Sequence, residues 1–100
     1  MSQPATAQVN LTVVTCNRLE CTRECLESLF ARTSHPYSLV VVDNGSADDS
    51  REYLAGLHAA GRIHRLILLE ENRGVSCGYN LGWSQLAAEH YVKIDNDVVF

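Results

Sequence analysis

Ser38 to Asp43, SLVVVD, is a continuous apolar run that ends in an acid. A short run without polar alternation suits a strand covered on both faces, and such strands belong to parallel sheets flanked by helices. The segments around it fit that frame. Val9 to Thr15, VNLTVVT, is short and β-branched. It leads into NRLECTRECLESLFARTS, where Leu19, Thr22, Leu26, Leu29 and Phe30 recur at helical spacing. Asn17 followed by Glu20 predicts a capping arrangement at the start of that helix.

After the apolar run, Asn44, Gly45 and Ser46 turn the chain. Ser46, with Asp48 and Asp49 in the first turn, predicts the cap of a second helix, where acids also suit the dipole. Tyr53, Leu54, Leu57 and Ala60 give that helix an apolar stripe, and Gly61 ends it. Ile63 to Leu69 reads as the third strand and Glu70 to Gly74 as a loop. Tyr79, Trp83, Leu86 and Ala87 mark a third helix, and Tyr91 to Ile94 opens the fourth strand. The expected fold is therefore α/β: a Rossmann-like βαβαβαβ chain with a mostly parallel sheet, right-handed crossovers and helices on both faces.

Length and charge narrow the function. A chain of 100 residues makes one small domain or part of a larger one. With 46% hydrophobic and 20% charged residues it is an ordinary globular sequence. A formal net charge of −4 gives no basic footprint for nucleic acid and no polybasic membrane signal. An anionic ligand must then be held by backbone groups, a few side chains or a metal. No apolar stretch approaches the ~18 residues of a spanning helix. MSQPATAQ, residues 1–8, lacks the pattern of a secretion signal and reads as a flexible leader, so the expectation is a soluble, cytoplasmic protein. Cys16, Cys21, Cys25 and Cys77 lack the paired spacing of a zinc site and are expected to be reduced, structural thiols.

In sheets of this kind ligands bind outside the carboxyl ends of the strands. The four predicted ends read TCNR, DNGSADD, EENRG and DND. Three carry acids and all four carry an asparagine, which points to a polar ligand. Asp43-Asn44-Gly45-Ser46 suits a turn with a helix cap, and equally a carboxylate that accepts hydrogen bonds from a base or ribose. Gly74, Gly78 and Gly82 line one side of the third helix. They permit either close packing on the sheet or access for a bulky ligand beside Asn72 and Asn80. The dinucleotide fingerprint is absent, because the first strand is followed by TCNRLE, without glycine. The same TCNR lacks the acids that a phospho-acceptor signalling domain needs there. Asp95 and Asp97 are two apart in an extended segment and point the same way. Side by side they would repel, and a divalent cation resolves this; hard oxygen ligands suit Mn2+ or Mg2+.

Taken together these pieces resemble the nucleotide-sugar-binding half of a family 2 glycosyltransferase with the GT-A fold. The matching pieces are Thr15-Cys16-Asn17-Arg18, Val41-Val42-Asp43-Asn44-Gly45-Ser46-Ala47-Asp48, Asn72-Arg73-Gly74 with Gly78, Asn80 and Gly82, and the acid-x-acid motif Asp95-Asn96-Asp97. They occur in the family's order and cover roughly residues 9–100. The resemblance implies that Thr15, Asn17 and Arg18 lie beside the nucleoside and its phosphates. It places Asp43 and Asn44 at the base, with Ser46 in the same loop. Many relatives carry two acids there, whereas the amide of Asn44 both donates and accepts. Asn72, Gly74 and Asn80 would border the donor. Asp95 would hold the ribose or assist the metal, and Asp97 would bind Mn2+ or Mg2+ bridging the diphosphate.

The implied reaction is inverting transfer of a sugar from a UDP- or dTDP-sugar to an acceptor hydroxyl, as in polysaccharide biosynthesis. The family's base lies downstream of the acid-x-acid motif, so it is expected beyond Phe100, with the acceptor half, and this stretch alone is expected to be inactive. The rival reading is a stand-alone nucleotide- or metal-binding module. The last strand, with Val98, Val99 and Phe100, is expected at or near an open sheet edge, which invites self-association or marginal stability.

Overall fold

The computed structural model describes residues 7–33 and 36–95. The expected βαβαβαβ order is present: β1 Ala7–Thr15, α1 Leu19–Arg32, β2 Ser38–Asn44, α2 Ser50–Ala59, β3 Arg65–Leu69, α3 Val75–Gln85 and β4 Ala88–Asp95. The strands form one sheet in the order β3-β2-β1-β4. All pairings are parallel, with Val13 opposite Val41 on one side and Ile94 on the other. β1 begins at Ala7, inside the stretch assigned to the leader. Residues 1–6, Asn96, Asp97 and the apolar end Val98–Phe100 lie outside the described residues.

Alternation along the central strands sorts side chains into two layers. Leu11 and Val13 of β1 and Leu39 and Val41 of β2 meet Leu26 and Leu29 of α1 and Leu54 of α2. Each such fully buried leucine contributes about 1.5–3 kcal/mol of transfer free energy. Val14 and Val42, on the opposite face, pack with Tyr79 and the half-buried Trp83 of α3. The central run Leu39–Val42 is wholly buried, as a strand covered on both faces requires.

Gly78 and Gly82 explain how α3 lies so close to the sheet. A Cβ added at Gly78 would come within 2.8 Å of a Val14 methyl, and one at Gly82 within 2.3 Å of the Thr12 methyl. Between them the sheet carries a buried polar pair: Thr12 donates to Asn10 Oδ1 at 2.7 Å, and Asn10 Nδ2 reaches the Leu86 carbonyl at 2.9 Å. Asn10 thereby satisfies a carbonyl left free at the end of α3.

Element ends differ from the sequence expectation where side chains find partners outside their own segment. The Asn17–Glu20 capping arrangement does not form. The N-cap of α1 is Arg18, without a side-chain cap, and the Asn17 side chain bonds elsewhere. Nor does Ser46 cap α2, which starts at Ser50. Helix α2 does end at Gly61, whose φ of 80° lets its amide reach His58 and the Arg62 amide reach Leu57, a Schellman closure. Strand β3 starts after Ile63, because the adjacent His64 occupies the β2 edge: Leu39 N–H donates to His64 Nδ1 and the His64 amide returns to the Leu39 carbonyl, both at 2.9 Å. Helix α3 stops before Leu86 and Ala87, since Leu86 is already extended and β4 starts at Ala88.

Candidate functional site

The carboxyl ends of β1, β2 and β3 feed three loops, and the loop after β2 ties them together. Asn17 and Arg18 both have left-handed backbones, with φ of 59° and 56°. Asparagine tolerates that region, but for arginine it is strained and persists only where surroundings impose it. The β2–α2 loop imposes it. The Asn17 amide donates to Ser46 Oγ at 2.7 Å, and the Ala47 amide donates to Asn17 Oδ1 at 2.7 Å. The Leu19 amide at the head of α1 donates to Asp48 Oδ2 at 3.3 Å. Asp48 also accepts from the Ser50 amide at 2.9 Å, so one carboxylate serves the starts of both helices. The Ser50 hydroxyl and amide, with the Leu19 amide, hold the Asp48 carboxyl below its ordinary range.

On its other side the same loop grips the loop after β3. Asp43 is fully buried; it accepts from the Ser46 hydroxyl and amide, and Arg51 Nη1 lies 3.5 Å from its Oδ2. Arg51 also donates to the Leu69 carbonyl at 2.7 Å, so it bridges the ends of β2 and β3. The Asn44 side chain accepts from the Arg73 amide at 2.8 Å and donates to the Gly74 carbonyl at 3.0 Å. Gly45, at φ 81°, runs so close to this loop that a Cβ would stand 2.6 Å from the Glu71 carbonyl carbon. Gly74, at φ 91°, has open space where its Cβ would be.

The fourth strand end carries Asp95. It is exposed, with Oδ1 3.3 Å from the Tyr79 hydroxyl, which itself donates to the Ile94 carbonyl at 2.7 Å. Burial first, and the Asp95 charge second, push the Tyr79 hydroxyl well above its ordinary pKa, so it stays a donor. Asp97, the expected metal ligand, lies outside the described residues. Among the described residues no three His, Cys, Asp or Glu side chains cluster as a metal site. Asp95 is an exposed carboxylate at this edge, a kind of ligand that a hard cation takes together with phosphate oxygens.

The residues singled out from the sequence thus separate into two sets. Thr15, Asp43, Asn44 and Ser46 are buried and bonded within the loops; the Thr15 hydroxyl, for example, pairs with Thr22 at 2.6 Å. Asn17, Arg18, Asn72, Gly74 and Asp95 are exposed around the same edge. Asn80 is exposed too, but the glycines on either side of it in α3, Gly78 and Gly82, face β1. Asn80 is therefore turned away from the sheet and not gathered with the loops. Sequence reasoning missed Arg51, and it missed Asn10 with Thr12. The latter pair had a signal, since two polar residues two apart in a buried strand share a face. None of the four cysteines is in a disulfide; Cys25 is buried and the others are partly exposed.

The family profile for glycosyl transferase family 2 matches residues 11–100. The chain is 32% identical over 76 residues to glycosyltransferase GlyA of Streptococcus pneumoniae, covering 75% of this chain and 11% of that protein. It is 30% identical over 84 residues to the undecaprenyl-phosphate 4-deoxy-4-formamido-L-arabinose transferase of Yersinia enterocolitica, covering 76% and 26% respectively. The chain therefore spans about a quarter or less of these relatives. Among solved structures it superposes on S. aureus TarS 1-349 in complex with UDP-GlcNAc with a TM-score of 0.77 and 25% identity, over 90% of this chain and 26% of that one. A mannosyltransferase from Pyrobaculum calidifontis, solved with GDP-Man and Mn2+, gives a TM-score of 0.82 at 22% identity, over 95% and 29%. That second likeness bears on the fold alone.

Proposed function

The chain belongs to glycosyltransferase family 2, and from that premise we propose that it forms the donor-binding part of an enzyme that transfers a sugar, with inversion, from a UDP- or dTDP-sugar to an acceptor hydroxyl. The observation that carries this reading is the joined platform at the carboxyl edge. Three loops are locked to one another by hydrogen bonds through residues 43–48, and exposed polar groups stand around them. That is where an open parallel sheet takes a polar ligand.

In this reading Asn17 and Arg18 meet the nucleotide phosphates. The strained backbone fixes where the Arg18 guanidinium starts, and a fork of donors suits phosphate oxygens. Asn72 and Gly74 border the donor sugar, the open side of Gly74 leaving room for it. Asp95 faces the ribose, and with Asp97 it would hold Mn2+ or Mg2+. When bound, such a cation supplies charge neutralisation on the departing diphosphate. Thr15, Asp43 and Ser46 act from beneath, by holding the loops in place. Asp43 and Asp48 are committed to Ser46, Arg51 and the helix starts. Neither is assigned as the base that deprotonates the acceptor, and residues 1–100 alone are expected to bind donor without transferring it.

Calorimetric titration of the chain with UDP, dTDP and GDP, with and without Mn2+, tests the proposal. Binding of a uridine or thymidine diphosphate that strengthens with Mn2+ is expected; a folded sample that binds none of them refutes it. Asp97→Asn is expected to remove the Mn2+ dependence. Strand β4 is an edge of the described sheet. Sedimentation over a range of concentrations tests self-association there, and a single monomeric species removes that part of the reading.

A further inference from the structure

We propose that Asn44 is a positioning residue, whose side-chain amide clamps the β3–α3 loop under the donor, and not a group that reads the base. The inference rests on the donor-site reading above. It starts from burial: Asn44 is 1% exposed, so its side chain faces protein and not ligand. Both ends of the amide are used. Oδ1 accepts from the Arg73 N–H at 2.8 Å, and Nδ2 donates to the Gly74 carbonyl at 3.0 Å. The two bonds hold successive residues of one loop, so they fix its orientation as well as its distance.

The Gly74 carbonyl also accepts the Gly78 amide at 3.2 Å, the first bond of α3. Asn44 therefore registers the head of α3, which has no side-chain cap of its own, against β2. Asn72 follows from this arrangement. Its Oδ1 accepts from the Gly74 amide at 2.7 Å, which places an exposed side chain relative to a clamped backbone. The neighbouring Gly45 makes the fit close, since any Cβ there would strike Glu71 and Asn72.

The chemistry explains why this position carries an amide. A carboxylate of the same shape would still accept from Arg73, but it has no proton for the Gly74 carbonyl. It would set a buried charge beside a carbonyl oxygen, which is unfavourable without a cation. Unlike an ionised carboxylate, an amide of this size offers one donor end and one acceptor end on a rigid plane. Each end keeps a second bonding position, but at 1% exposure neither is open to a ligand, and this is what argues against base reading.

Asn44→Ala and the wild type are titrated with UDP, dTDP and GDP in Mn2+, and amide exchange is followed at Arg73. Exchange at Arg73 is expected to lose its protection in the variant while β1 amides keep theirs. Every nucleotide that binds the wild type is expected to weaken by one common factor, on the order of tenfold for two lost hydrogen bonds. A changed ratio between uridine, thymidine and guanosine diphosphates would show base reading and overturn the proposal. So would unchanged affinities. The protection of the β1 amides shows whether each variant is folded. Asn44→Asp should keep Arg73 protected, lose the bond to Gly74 and bury a charge beside that carbonyl, and so weaken all nucleotides by a common factor of about threefold or more; unchanged binding there also overturns the clamp. A wild-type chain that binds no nucleotide defeats the donor reading itself, before any variant is made.

Discussion

The packing of α3 on β1 makes one substitution, glycine to alanine, act with opposite signs at two places. Gly82 lies in α3 against Thr12, and an added Cβ would meet the Thr12 methyl at 2.3 Å, its hydroxyl at 2.9 Å and its Cβ at 3.1 Å. Thr12 is fully buried and cannot swing clear, because its hydroxyl is held by Asn10. Relief requires either lifting α3 or breaking the Thr12–Asn10–Leu86 chain of bonds. Overpacking of this kind costs about 1–3 kcal/mol, and a buried polar group left unpaired costs about as much again. Against this, alanine gains about 0.8–1 kcal/mol over glycine in a helix interior. Gly82→Ala should therefore lose about 2 kcal/mol or more, a large share of the 5–15 kcal/mol typical of a domain.

Gly56, inside α2, has nothing within 4 Å of its missing Cβ. Gly56→Ala keeps only the helical gain and should stabilise by about 0.5–1 kcal/mol. Urea unfolding followed by circular dichroism gives both values from the same baseline. Gly82→Ala as stable as the wild type, or the two variants shifting the midpoint in the same direction, would refute the packing argument.

Other expectations follow from the loop network. Arg51 is the cation beside the buried Asp43 and also bonds the Leu69 carbonyl. Because Arg51 is itself over a third exposed, Arg51→Ala should cost only about 1–3 kcal/mol, read as a lower melting temperature; an unchanged melting temperature would show that the bridge contributes nothing. Asp48 has its carboxyl held below the ordinary value of 3.8 by Ser50 and Leu19. A depressed carboxylate contributes stability that is present above its unfolded pKa and lost as pH falls through the folded one. Stability should thus fall on acidification below ~4, more steeply in the wild type than in Asp48→Asn, as measured by urea midpoints across that range; parallel curves would count against the role given to Asp48.

Much of the fold was legible in residue order. Leu39 to Val42 suited a strand covered on both faces, and the helical spacing from Leu19 to Phe30 suited a helix that covers one of them, as α1 does together with α2. Gly78 and Gly82 were open between packing and ligand access, and the contacts with Val14 and Thr12 decide for packing. The element ends were less legible, because caps were inferred from neighbours in sequence. Asn17 and Ser46 instead bond across loops, the Asn17 side chain to Ala47 and the Ser46 hydroxyl to the Asn17 amide. No local pattern encodes a partner that lies thirty residues away.

Sequence alone determined the kind of chain this is: an α/β sheet whose polar strand ends come in the order of family 2 glycosyltransferases. Those properties reside in local periodicity and in motif order, which survive without coordinates. Tertiary structure decided which polar groups face outward. Asp43 and Asn44 sit side by side in the chain with Ser46 two residues on, yet all three turn inward to build the loops, while Asn17, Arg18 and Asp95 remain accessible. A polar side chain becomes a strut or a ligand contact according to whether a buried backbone group nearby needs its hydrogen bond, and only packing brings that group within reach.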